Sequence, residues 1–187
     1  ATDIWMSASD SKEVVNSGWT GRYLNYEYPN FPNGYPNSSM PDPLAIQIGS
    51  TTSLALQGPA VSMGMSISNP SNFYNLIAGV QDPAPNTPAG KELTYIRKVA
   101  QQTTAYAEVI KTASAKVTQQ AEYPNNSLAA QLKIVARLIA GGLKTRIYMV
   151  SYGGFDTHSA QVNSTDHTTG THANLLKNVS DSIKAFQ

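Results

Sequence analysis

The chain has 187 residues, 41% hydrophobic and 13% charged, with a formal net charge of +1 and no cysteine. That length supports one core with an accessory region. The near-neutral balance implies no nucleic-acid or anionic-membrane partner, and the missing thiols exclude disulfides, thiolate catalysis and cysteine-ligated metals. Ser, Thr, Asn and Gln carry the polarity instead of charge, as on an exported surface.

No apolar run is long enough to span a bilayer, and no basic–apolar signal segment is present. The chain begins at Ala1 rather than Met, so a removed leader or larger preceding portion is expected. Residues 1–43 read as loop-rich, with Thr20–Leu24 either a short helix or a turn. The 26–37 segment holds three prolines, three asparagines and a glycine, which deny it a regular element. Its four aromatics favour an ordered loop pinned by ring packing, with a ring-lined recognition surface as the alternative.

Three short strands are predicted in 44–67: Leu44–Ile48, Ser53–Leu56 and Ala60–Ile67. Their close spacing suggests hairpins or a small β ribbon. Pro70–Val80 reads as a short helix with Phe73, Leu76 and Ile77 on one side, and Asp82–Pro88 breaks the pattern. Apolar residues then recur every three or four positions from Lys91 to Ala121, predicting a long amphipathic helix with a kink or a docking partner. Ser127 is the expected cap of a second helix, Leu128–Ala140, with Leu128, Leu132, Val135, Leu138 and Ile139 inward and Gly141-Gly142 at its end.

Thr145–Tyr152 is β-rich and lies between helices, which favours a buried strand in a layered α/β sheet. A last helix runs from about Gly170 to the end, with Leu175, Leu176, Val179, Ile183 and Phe186 as its apolar stripe.

The chemistry gathers between these last two elements. All three histidines, His158, His167 and His172, lie within fifteen residues of one another. Gly153-Gly154 lets the backbone turn, and Asp156 and His158 follow at the strand's carboxyl end, where ligands gather in open α/β sheets. Asp and His are competent ligands for a divalent ion. His172, at the start of the last helix, is a third candidate, and Asp166 and His167 are further ones. Two readings stay open: a metal or phosphate site, or a plain turn in which Asp156 accepts backbone N–H groups and His158 is exposed. For His172 the competing role is helix-start packing, and for His167 plain exposure. No phosphate loop, His-Glu-x-x-His helix, dinucleotide fingerprint or nucleophile elbow occurs, and Gly141-Gly142 follows a helix rather than preceding one.

The run Tyr152-Gly153-Gly154-Phe155-Asp156-Thr157-His158-Ser159-Ala160-Gln161, followed by His172-Ala173-Asn174-Leu175-Leu176 and a helix ending at Phe186, closely resembles the DUF1501 family. Ala1–Trp5 and Gly18–Leu24 look like that family's middle portion. The resemblance implies an exported bacterial protein, periplasmic or extracellular, in the alkaline phosphatase and sulfatase superfamily. It implies a partial alkaline-phosphatase-like layered α/β domain over 1–187. The family's earlier portion is missing, as are its Ser-Glu-Phe-Gly-Arg-like and Gly-Thr-Asp-His-Gly-like segments. In that superfamily Asp and His residues hold two metals beside a nucleophile. By analogy Asp156 and His158, with His172, contribute to a centre holding zinc, calcium or magnesium, and the other ligands and the nucleophile lie outside this chain. The implied activity is metal-dependent hydrolysis of phosphate or sulfate esters. The alternative is a non-catalytic cell-envelope binding protein or assembly subunit. Expected partners are the remainder of the same parent protein or further copies of the chain.

Overall fold

The computed structural model describes residues 2–70, 84–158 and 161–187. The chain starts with two helices, α1 (Thr2–Ser7) and α2 (Trp19–Glu27). Arg22 binds them together, its guanidinium donating to the Ser7 and Ser17 carbonyls at 2.6 and 2.7 Å. The loop after α2 is held by its rings. Tyr35 packs against Tyr28 at 6.2 Å and Phe31 at 5.6 Å, and the Tyr28 hydroxyl accepts from Arg146 at 2.7 Å.

Strand β1 (Ala45–Ile48) pairs in parallel with β2 (Gly64–Ile67), with Ala45 opposite Gly64 and Ile48 opposite Ile67. The hairpin ribbon expected for 44–67 is therefore not formed. Parallel partners need a crossover between them, and here the connection contains a 3-10 turn at Leu54–Leu56, where a middle strand was expected. Polar side chains hold that turn. Ser53 Oγ accepts the Ala55 N–H at 3.1 Å, and Gln47 Oε1 accepts the Ser53 N–H at 2.6 Å. The helix expected at 70–80 falls almost wholly outside the described residues.

Helix α3 (Pro88–Ala115) opens on Thr87, whose side chain accepts the Gly90 N–H, with Pro at the first turn. It stops six residues short of the predicted Ala121, before the β-branched pair Val117-Thr118. Helix α4 (Ser127–Ala140) is capped by Asn126 rather than Ser127; Asn126 Oδ1 accepts the Ala129 N–H at 2.8 Å. It ends on Gly141, as expected, and Gly142 follows with a left-handed φ of 94°. Strand β3 (Ile147–Met149) returns parallel to β1, giving the order β2-β1-β3, and α5 (Thr171–Phe186) closes the chain.

The period of two sorts the sheet's side chains onto two faces. Ile46, Ile48, Ile67 and Tyr148 join Tyr106, Ile110, Val135 and Leu138 of α3 and α4 in one core cluster, with Phe186 of α5 packed on it. Ala45, Ile147 and Met149 join Leu24, Met40, Leu44, Leu56 and Met63 in the other. The chain is thus a mixed α/β fold with an open three-stranded parallel sheet covered on both faces. The buried line of α5 differs from the predicted stripe. Leu176 and Ile183 are exposed, while Ser182 is fully buried against α4 and contacts Asn126 at 3.2 Å. Ile139, expected inward on α4, is exposed as well. No described helix is long and apolar enough to cross a membrane.

Candidate functional site

The loop after β3 is placed by side chains from both neighbouring helices. Gln131 on α4 pairs with Ser151 as a strand would: its Oε1 accepts the Ser151 N–H at 2.9 Å and its Nε2 donates to the Ser151 carbonyl at 2.8 Å. Asn178 on α5 donates to the Tyr152 hydroxyl at 2.8 Å. These two amides fix the chain at Ser151 and Tyr152, just beyond Met149.

Of the two glycines, Gly154 is the one the geometry requires. Its φ is 94°, and an added Cβ would sit 3.4 Å from Leu175. The turn brings Phe155 edge-on between Tyr152 and the His172 ring, with centroids 6.0 and 6.1 Å away. Such pairs fix ring orientation.

Asp156 and His158 then stand out into solvent. His158 Nδ1 lies 3.1 Å from Asp156 Oδ1, and both side chains are more than four-fifths exposed. His158 holds a left-handed backbone, φ 44°, which is uncommon for a residue with a side chain. The Thr157 N–H donates to the Phe155 carbonyl at 3.0 Å, so the turn is closed by backbone and leaves the Asp156 carboxylate for the imidazole.

The other sequence candidates lie apart from this pair in role. His172 is half-buried in the first turn of α5; its N–H donates to the Gln161 carbonyl at 3.1 Å, and its Nδ1 is buried without a hydrogen-bond partner. Asp166 Oδ1 serves its own turn, accepting the Thr168 hydroxyl at 2.6 Å and the Thr168 N–H at 2.9 Å. Those bonds hold its carboxyl below the ordinary carboxylate value. His167 is exposed beside it. Among the described residues no group of three or more His, Cys, Asp or Glu side chains is placed to hold a metal ion. What the loop offers an ion is therefore the His158 imidazole with the Asp156 carboxylate against its Nδ1, the carboxylate–histidine arrangement found behind metal ligands.

Gln131 and Asn178 were not legible as site residues. Each is one polar position on an amphipathic helix, and nothing in the spacing marks it as a clamp. No family model matches the chain, and neither a curated protein nor a solved structure matches it.

Proposed function

We propose that the loop after β3 is the metal-binding edge of an exported ester-hydrolase-type domain, related to the DUF1501 and alkaline phosphatase-like proteins it resembles. The observation that carries the reading is the Asp156–His158 contact of 3.1 Å on the loop that follows a parallel strand. With Nδ1 turned to the carboxylate, His158 presents Nε2 outward as a ligand, and Asp156 orients the ring from behind. One imidazole nitrogen does not complete a catalytic sphere, so the remaining ligands and the nucleophile come from outside these residues. A bound ion would polarise a phosphate or sulfate ester oxygen and stabilise charge in the transition state.

Calorimetric titration with zinc, calcium and magnesium tests this directly. Wild-type protein is expected to bind at least one of them, His158→Ala to bind none, and Asp156→Asn to bind about 10–100-fold more weakly. Binding that ignores both substitutions, or no binding at all, would falsify the proposal.

A second reading is a non-catalytic binding module of the cell envelope, or a subunit of an assembly. It is favoured by Trp19, Tyr23 and Tyr26, which follow helical spacing on α2 and are all exposed, together with exposed Trp5 on α1. Sedimentation analysis addresses the subunit form: a monodisperse monomer weakens it, and a stable oligomer favours it.

A further inference from the structure

The exposed rings of α2 lie in one line. Trp19, Tyr23 and Tyr26 stand at i, i+4 and i+7, so they share one face of the helix. Trp19 and Tyr23 are 54% exposed and Tyr26 is 82% exposed. The opposite face is fixed. Thr20, Gly21 and Leu24 are buried, and a Cβ on Gly21 would lie 2.2 Å from the Gln57 carbonyl oxygen. The helix is thus seated on backbone just after the 3-10 turn, and its rings stand outward from a rigid base.

We infer that this face joins two copies of the chain in an antiparallel, two-fold pair, the subunit reading above being its premise. Area supports the pairing. A buried aromatic side chain covers about 150–250 Å², so at these exposures the three rings of two copies would bury roughly 800 Å² between them. The rim around them, with Asn25, Glu27 and the exposed Trp5 of α1, brings the total to the ~1,000 Å² that a specific interface needs. Spacing supports it as well. The line of rings is nearly symmetric about its middle, as a two-fold contact requires. Trp19 of one copy then meets Tyr26 of the other, and Tyr23 meets its own equivalent beside the axis. Charge does not oppose it. Arg22 and Glu27 are the charged residues of α2, and the Arg22 guanidinium is engaged by the Ser7 and Ser17 carbonyls. Glu27 falls at the amino end of the other copy's α2, where the helix dipole favours negative charge.

The chain has no cysteine, so one introduced thiol reports on self-contact alone. Under mild oxidation of the whole chain, Tyr23→Cys is expected to give a disulfide-linked dimer that reductant reverses. Leu176→Cys is the control: it is 52% exposed, on α5, which packs on the other core cluster, and it is expected to stay monomeric. Sedimentation gives a second readout. The wild type is expected to dimerise, and Tyr26→Ser, with its circular dichroism unchanged, to do so at least about tenfold more weakly. An oligomer that persists in Tyr26→Ser, or that is trapped through Leu176→Cys instead, overturns this face and leaves the subunit reading standing. A wild-type monomer with no Tyr23→Cys crosslink overturns both and leaves the rings to a different partner.

Discussion

Asp42 does at the mouth of the sheet what a strand residue does inside it. Its carboxylate accepts the Lys144 N–H 102 residues along the chain, just ahead of the first backbone bonds between Leu44 and the start of β3. A hydrogen bond to a carboxylate contributes about 1.5–3 kcal/mol, so this one side chain helps fix where β3 begins. Its charge also shapes the alkaline limit of stability through Tyr106, whose phenol is pushed from 10.0 up to about 12, first by burial and then by Asp42. Between those two values the unfolded chain has released the Tyr106 proton while the folded chain still holds it. The folded state then binds more protons, and stability falls as pH rises. The contribution is whole below the unfolded value and gone above the folded one. Urea unfolding at several pH values across this window is expected to show declining stability in the wild type and a shallower decline in Tyr106→Phe. Tyr148, shifted in the same direction, keeps part of the slope in the variant. Parallel slopes for the two proteins would show that Tyr106 ionises as freely folded as unfolded.

At the scale of elements, the crossing of α3 and α4 depends on a missing side chain. A Cβ on Gly141 would lie 2.1 Å from the Ala113 carbonyl oxygen, a backbone atom that cannot swing aside. Gly141 keeps an ordinary right-handed backbone, so its requirement is close approach rather than an unusual φ. Gly141→Ala must therefore push the end of α4 away from α3, and is expected to cost about 1–3 kcal/mol in denaturant unfolding. A neutral effect would show that the crossing is loose. The sequence marks Gly141 as a helix end, which it is, but periodicity holds no record of a helix passing over it. The same limit explains the other differences. Helices α4 and α5 were legible because their apolar spacing repeats. Ser53–Leu56 was misread as a strand because three apolar or small residues carry no period, and the Gln47 and Ser53 bonds that curl it are side-chain choices. Parallel pairing of β1 and β2 was hidden because strand alternation says which face a residue takes and nothing about direction. For the candidate site, the sequence located the loop and its Asp156–His158 pair. It did not reveal that Gln131 and Asn178 position that loop, or that Asp166 Oδ1 accepts from Thr168.

Among the described residues, the sheet divides two core clusters. One holds Ile110 of α3, fully buried among Ile46, Ile67 and Leu138; the other holds Leu24 of α2, fully buried among Leu44, Leu56 and Met63. Charge does little to join them. Both ion pairs found among the described residues, Lys177–Asp181 and His158–Asp156, lie on the surface, where such pairs contribute about 0–1 kcal/mol. Cohesion between the faces runs through the strand backbones, as in β1, whose Ala45 faces one core and whose Ile46 faces the other. If that backbone is stiff, damage on one face stays there. Leu24→Ala is expected to cost about 2–5 kcal/mol and Ile110→Val about 0.5–1.5 kcal/mol. The double variant should then show their sum to within about 0.5 kcal/mol in urea unfolding, as for sites that share no partner. A coupling well beyond that would mean the sheet bends to share the strain, so that the two clusters behave as a single core.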